Sequence, residues 1–363
     1  MRILDHLTIK GFKSIREQNL SLRPLNIFIG GNGSGKSNLI QVFRFLKEIV
    51  NQNLANYTAI KGGADTLLHF GRKRTPEMEF FLEFGGEAAS NSYRVFLTGT
   101  DDDSLIIGRE VAYYHEKNIY PRPYNYPVTS GTRESRLQQD DHKCARQILS
   151  DLEGYRVYHF HDTSDTALVK TFSEVEDNRY LRPQADNLPA FLFWMQEKQP
   201  DHFHLIQETV RQIAPFFHEF RLAPSKLNAA KIRLEWREKG SDTYFNANSL
   251  SDGTLRFICL ATLLLQPELP SLVLLDEPEL GLHPAAIALL ADLLLSASTR
   301  TQIIAATQSV TLVNQFTPKD IWAVDREDQQ SVFRHLEEKD MSAWLDSYAL
   351  GELWEKNILG ARP

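Results

Sequence analysis

The segment Gly30-Gly31-Asn32-Gly33-Ser34-Gly35-Lys36-Ser37 limits what this chain can fold into more than any other stretch. It fits the pattern of a glycine, four free positions, then Gly-Lys-Ser. Leu25 to Ile29 ahead of it is a short apolar run that reads as a strand, and Asn38 to Leu46 carries apolar residues at helical spacing. Strand, glycine-rich loop and helix in that order make a phosphate-binding loop. The glycines let consecutive N–H groups turn inward toward phosphate oxygens, and the helix presents its positive end to the same anion. Gly30, Asn32, Gly33, Ser34, Gly35, Lys36, Ser37 and Asn38 are therefore the candidate nucleotide-binding positions. Lys36 is expected to reach the β/γ-phosphates and Ser37 to hold Mg²⁺. A glycine-rich turn without a ligand is the competing reading, and the two flanks disfavour it.

A second segment, Leu272 to Pro284, supplies what a phosphate loop lacks. Ser271 to Leu275 is a continuous apolar run, as expected of a parallel strand buried on both faces, and Asp276 and Glu277 follow at its C-terminal end. Ligands of open parallel sheets bind at that end. Adjacent carboxylates repel each other unless a cation offsets one charge. Beside Mg²⁺ and a polyphosphate, Asp276 is expected to organise the metal and Glu277 to polarise an attacking water.

Shortly before that strand comes Leu250-Ser251-Asp252-Gly253-Thr254, followed by the apolar run Leu255 to Leu265, which reads as a buried helix. Ser251 and Gly253 thus fall at a helix N-terminus, a second anion site; a plain serine N-cap is the alternative. With these residues the chain resembles the ABC-type ATPase heads of the SMC, RecF and OLD nuclease proteins, whose signature is LS-G-G/S-Q or a close variant. The resemblance implies a head-to-head dimer with composite ATP sites, in which Ser251 and Gly253 of one copy reach the γ-phosphate held by Lys36 of the other. It also implies that Pro278 to Pro284 is the D-loop along the dimer seam. Gln308, after the apolar strand Ile303 to Thr307, stands at the family's switch position, usually His. Gln hydrogen-bonds but takes no proton at neutral pH, which leaves it the positioning of phosphate or water. Ile3 to Ile9, the turn Gly11-Phe12-Lys13-Ser14 and a strand from Leu20 match the family's N-terminal hairpin. Gln138 and Gln139 are the polar mid-chain candidates for its Q-loop glutamine.

The fold expected is α/β: a P-loop, ABC-like head with a mixed sheet flanked by helices. Phosphate loop and signature belong to one head, so residues 1–85 and 245–363 are assigned to it and residues 86–244 to an inserted, compact α/β lid. SMC proteins hold a coiled coil there, and no sustained heptads are present here. Ser90 to Thr129 reads as a meander with a loop, and Leu188 to Phe220 as helix broken at Pro200 and Pro215. With 42% hydrophobic and 24% charged residues, core material is ample.

No secretory signal precedes Ile3, no run is long enough to span a bilayer, and two cysteines make no disulfide framework, so a reducing cytoplasm and no membrane are expected. His159 with His161, and His202 with His204, raise a metal site without a third ligand. Arg72-Lys73-Arg74 and the group Arg133, Arg136, Lys143 and Arg146 could follow a nucleic-acid backbone, but the net charge of -7 favours solvated faces equally. The amphipathic stretch 350–360 is expected to pack on its own head, with partner docking as the sharper alternative.

The resemblance implies an ATPase with ATP and Mg²⁺ as cofactors, using slow hydrolysis to time head engagement. Too few residues follow Gln308 for the Toprim nuclease of OLD proteins, so the expected partner is a separately encoded effector, with a Toprim-like nuclease as candidate, in bacterial defence against phage. A RecF-like DNA-binding repair ATPase is the alternative, and a nucleotide-gated scaffold with little turnover is a third reading.

Overall fold

A computed structural model describes residues 2–86, 88–337, 344 and 348–361. Two compact units form: Met1–Val157 with Pro270–Leu274 and Thr301–Pro363, and Tyr158–Leu269 with Leu275–Arg300.

The first unit holds two six-stranded sheets. One contains β1 (Leu4–Phe12), β2 (Ile15–Ser21), β4 (Glu77–Gly85), β5 (Ala89–Gly99), β6 (Leu105–Glu116) and β7 (Tyr124–Thr129), in the antiparallel order β2-β1-β4-β5-β6-β7. The other contains β3 (Leu25–Ile29), β8 (Tyr155–Tyr158), β14 (Leu272–Asp276), β15 (Gln302–Thr307), β16 (Ile321–Glu327) and β17 (Gln330–His335), in the order β17-β16-β3-β15-β14-β8. Strand β3 runs parallel to both β15 and β16, while β17 returns antiparallel to β16. The sequence shows why the sheets differ. β4 alternates buried and less buried residues, as a strand with one core face does. β3 and β15 are buried at every position, as parallel strands covered on both faces are.

Helix α1 (Lys36–Val50) contributes to the core that joins these sheets, and its Leu39, Ile40, Val42, Phe43, Phe45, Leu46 and Ile49 are all buried in that cluster. Phe45 stacks on Phe12 of β1 at 5.6 Å and meets Phe80 of β4 edge-on at 5.9 Å. The same cluster takes in Phe28 of β3 and Ile304 and Ala306 of β15. Short helices α2 (Leu54–Ile60) and α3 (Ala64–Leu67) and helix α4 (Lys143–Glu153) complete this part.

The domain boundaries fall elsewhere than expected. Residue 86 lies in the hairpin between β4 and β5, and β5 pairs with β4 from Glu77↔Thr98 to Gly85↔Ser90. The outer edge of β4 needs hydrogen-bond partners, and β5 supplies them, so the meander β5–β7 extends the head's own sheet. The chain enters the second unit only at Tyr158.

That unit contains a small sheet of β10 (Phe217–Phe220), β12 (Glu235–Glu238) and β13 (Tyr244–Asn246), and a two-stranded ladder of β9 (Ser173–Glu174) with β11 (Lys231–Ile232). Helices α5 (Leu188–Lys198), α6 (Pro200–Ile213), α7 (Asp252–Leu265) and α8 (Pro284–Ser298) pack in succession. Pro200 opens α6, where its missing N–H is harmless. The longest described helices have 15 residues, far short of a coiled-coil arm.

The lesser features of the sequence take defined places, and one boundary moves. β2 begins at Ile15, five residues ahead of the expected Leu20, because the β1–β2 turn is tight. His159 and His161 lie beyond the end of β8, and His202 and His204 lie on α6, where a spacing of two separates their faces. Among the described residues no three His, Cys, Asp or Glu side chains gather to hold a metal. Arg72 bonds Asp65 and the Thr100 carbonyl, so it is held by its own fold. Helix α9 (Val310–Val313) receives α10 (Leu350–Glu355), whose Leu350, Leu353 and Trp354 are buried, with the Gly351 N–H donating to Asn314 Oδ1 at 2.6 Å. No described helix is long and apolar enough to cross a membrane, and Cys144 and Cys259 are both buried free thiols.

Asp151 on α4 is largely buried, with Arg2 at 3.9 Å and the Gln147 side-chain amide donating to it at 3.4 Å, and burial outweighs both and pushes its carboxyl up to about 6 from 3.8. The folded state therefore binds a proton that the unfolded state releases first, so stability falls as pH rises from about 4 to about 6. Asp151→Asn removes that penalty. Its melting temperature is expected to exceed the natural protein's at pH 7 and to match it near pH 4, as read by thermal denaturation at the two pH values.

Candidate nucleotide-binding site

Strand β3 delivers the chain into the glycine loop, and α1 begins at Lys36. Gly35 sits at the helix N-cap with φ 117, a conformation that disfavours any side chain. A Cβ there would also collide with Ser331 Oγ, so the position is closed twice over. No side chain caps α1, and its first turn holds no acidic residue. Its leading N–H groups and positive end are thus left to an anion. Lys36 is buried at 5% exposure, with its ammonium donating to the carbonyls of Gly30 and Gly31. Ser37 and Asn32 are exposed.

A hydrogen-bonded chain fixes the loop from behind. Asn38 Nδ2 donates to Ser14 Oγ at 2.7 Å, Ser14 Oγ lies 2.6 Å from Ser331 Oγ, and Ser331 Oγ donates to the Ser34 carbonyl at 2.6 Å. The side-chain amide of Asn38 is therefore engaged with the hairpin turn. Ser331 is fully buried on β17. No local sequence signal marks Ser331, because it lies almost the whole chain away from the loop it serves.

Gln308 also has a defined place. Thr307, the last residue of β15, is paired with Ile29, the last residue of β3. Gln308 and Gly30 consequently leave adjacent parallel strands at the same level of the sheet. The Q-loop candidates are less distinguished: Gln138 and Gln139 lie exposed in a short 3₁₀ turn, Gln139 within 3.5 Å of Gln52.

In the second unit, Glu277 directly follows the end of β14 at Asp276 and takes φ 44, the left-handed region that non-glycine residues seldom occupy. Such strain persists only where the surroundings hold it, and it concentrates at functional positions. His161 Nε2 lies 2.8 Å from the carbonyl oxygen of Asp276, and the Leu280 N–H donates to the Glu277 carbonyl at 3.1 Å. Ser251 caps α7, its Oγ accepting from the Thr254 N–H at 3.2 Å and lying 2.8 Å from Thr254 Oγ1. Asp252 adds a negative charge to that helix start, and Lys170 stands 3.8 Å away as its counter-ion.

The family model described as "AAA domain, putative AbiEii toxin, Type IV TA system" matches residues 25–314. The chain belongs to this family. This AAA-domain protein is similar in fold to a crystallised Smc head bound to the C-winged helix domain of ScpA, with TM-score 0.57, 18% identity, and 94% of this chain and 99% of that chain covered. The Smc head of Pyrococcus furiosus with an extended coiled coil, bound to the C-terminal domain of ScpA, gives TM-score 0.54 at 17% identity, covering 95% and 99%. Two proteins titled "DNA replication and repair protein RecF" share shorter segments. That of Lactobacillus acidophilus is 43% identical over 44 residues, 12% of either chain, and that of Magnetococcus marinus 31% identical over 94 residues, 25% of either chain. The aligned parts thus span a quarter or less of those relatives' length. Together these findings support a mixed α/β P-loop head of the ABC-type AAA group to which SMC and RecF heads belong, a kind of domain that binds nucleotide, typically with Mg²⁺.

Ser331→Ala leaves the Ser34 carbonyl without its buried donor, a loss of about 1–3 kcal/mol in the organised loop. Nucleotide affinity by isothermal titration calorimetry is expected to fall about fivefold or more, while Ser331→Thr, which keeps the hydroxyl, retains most of it.

Proposed function

We propose that this chain binds and hydrolyses Mg²⁺-ATP, that two copies engage around two ATP molecules, and that the cycle controls a separately encoded effector in bacterial defence against phage. The observation that carries the reading is the uncapped start of α1, with the Lys36 ammonium buried against the loop carbonyls. Gly30, Asn32, Gly33, Ser34 and Gly35 supply the loop backbone, Asn38 the first turn of α1 behind it, and Lys36 neutralises the phosphates. Ser37 and Asp276 would hold Mg²⁺, which supplies charge neutralisation on the phosphate oxygens. Glu277 accepts the proton of the attacking water as the water's oxygen bonds to the γ-phosphorus and ADP leaves. Gln308 hydrogen-bonds phosphate or water without exchanging a proton. This is catalysis by positioning and electrostatics.

Ser251 and Gly253 of one copy are assigned to the γ-phosphate bound by the other copy. The Ser251 hydroxyl accepts within its own helix cap, which orients its proton, and the α7 amides face outward from the same end. The defence role is supported by the family description, which names a toxin of a type IV TA system. The Toprim-like effector remains part of the proposal, resting on the OLD resemblance alone.

The RecF matches favour one further reading, in which DNA stimulates the heads as part of repair. Duplex DNA that raises ATP turnover severalfold, with a steep dependence on salt, supports it over effector control.

The test is a comparison of two variants. Lys36→Ala is expected to lose ATP binding, whereas Glu277→Gln keeps binding and loses turnover by roughly 100-fold or more. Phosphate release and equilibrium binding measure the two effects separately. Turnover unchanged in Glu277→Gln contradicts the assignment of the base, and binding unchanged in Lys36→Ala contradicts the site.

A further inference from the structure

Arg256 stands out within the second unit. It is the only charged residue of α7 besides Asp252, on a helix buried at nearly every other position from Thr254 to Leu265. Its Nη1 donates to the Leu280 carbonyl at 2.8 Å, and its Nη2 donates to the His161 carbonyl at 2.8 Å and approaches Thr163 Oγ1 at 3.4 Å. His161 in turn reaches the Asp276 carbonyl at 2.8 Å, and since a carbonyl only accepts, His161 Nε2 carries a proton. One guanidinium thus joins the helix after Leu250–Thr254 to the turn after Glu277 and, through His161, to the end of β14.

Packing tightens the same junction. A Cβ on Gly253 would run into the Gly281 carbonyl oxygen, and one on Gly281, at φ 77, would stand 2.7 Å from Arg256 Nη1. The turn has its own short bonds, Leu280 N–H to the Glu277 carbonyl at 3.1 Å and Leu282 N–H to the Glu279 carbonyl at 3.0 Å. Glu277 is held at φ 44 at the head of that turn. A strained residue keeps its conformation only if its neighbours are fixed, and the planar fork of an arginine fixes two carbonyls at a set separation.

We infer that Arg256 is a positioning residue that locks the segment Leu250–Thr254 to the turn Glu277–His283, so that the two move as one piece. The consequence rests on the proposed ATPase reading: any displacement of Ser251 on meeting a phosphate is passed to the turn that holds Glu277. Arg256 itself touches no reacting atom.

Arg256→Gln keeps a polar side chain and loses the fork. Hydrogen exchange without nucleotide reads the lock directly, at the Leu280 and Leu282 amides. They are expected to exchange about tenfold faster or more in Arg256→Gln, with an unchanged rate overturning the inference. In turnover assays the variant is expected to keep its ATP affinity within about twofold and to lose kcat about tenfold or more, with partial recovery in Arg256→Lys. A purely structural role lowers the melting temperature without this split of kcat from affinity, and a folded variant with natural kcat overturns the inference. Should Arg256→Gln fail to fold, Arg256→Lys carries both measurements, because an ammonium cannot hold both carbonyls at their present separation. An inactive natural protein defeats the ATPase reading alone, and the exchange measurement still decides the lock.

Discussion

The burial of α1 between two sheets is the constraint on which the first unit depends. An amphipathic helix ordinarily hides one stripe, but α1 gives Phe45 to the antiparallel sheet while sharing its core cluster with β3 and β15. Each such side chain, fully buried, contributes about 1.5–3 kcal/mol, so the helix has little freedom to shift along its axis. Lys36 and the loop amides stand at the end of this immobilised rod. Serine side chains from the first hairpin and from β17 then close on the loop, so residues distant in sequence set the geometry of the candidate anion site.

The second unit solves a different problem, holding a strained carboxylate turn. Helix α7 provides the platform because its apolar run is long enough to be immersed, while Arg256 breaks that run at the single point where the turn and the His161 loop need donors. Glycines at 253 and 281 allow the backbones to approach where any side chain would hold them apart. Polar connections of this kind in an otherwise apolar layer fix one arrangement among many that greasy packing alone would accept.

Much of this was legible in the sequence because it is locally written. The strand, loop and helix around Gly35 follow from apolar periodicity and glycine placement, and the all-buried β14 before Asp276 follows from its unbroken apolar run. The cap at Ser251 was likewise readable from its neighbours. Pairings between distant segments were not. Nothing in Ala89 to Thr129 says that β5 completes the edge of β4 rather than starting a separate lid, since antiparallel strands of either origin look alike. Ser331 and His161 each act through a hydrogen bond to a carbonyl that any residue could present, so neither leaves a periodic trace. A pair of histidines two residues apart read as a metal hint for the same reason: spacing is visible, while the partner carbonyl is not.

We propose that one chain carries half of each nucleotide site and that a second copy completes it. The most direct measurement is the molar mass of the Glu277→Gln protein by light scattering, with and without Mg²⁺-ATP, because that substitution should hold nucleotide without consuming it. The mass is expected to double only when Mg²⁺-ATP is present, and to fail to double when Ser251 is also replaced by Arg. A protein that stays monomeric with ATP measurably bound would contradict it.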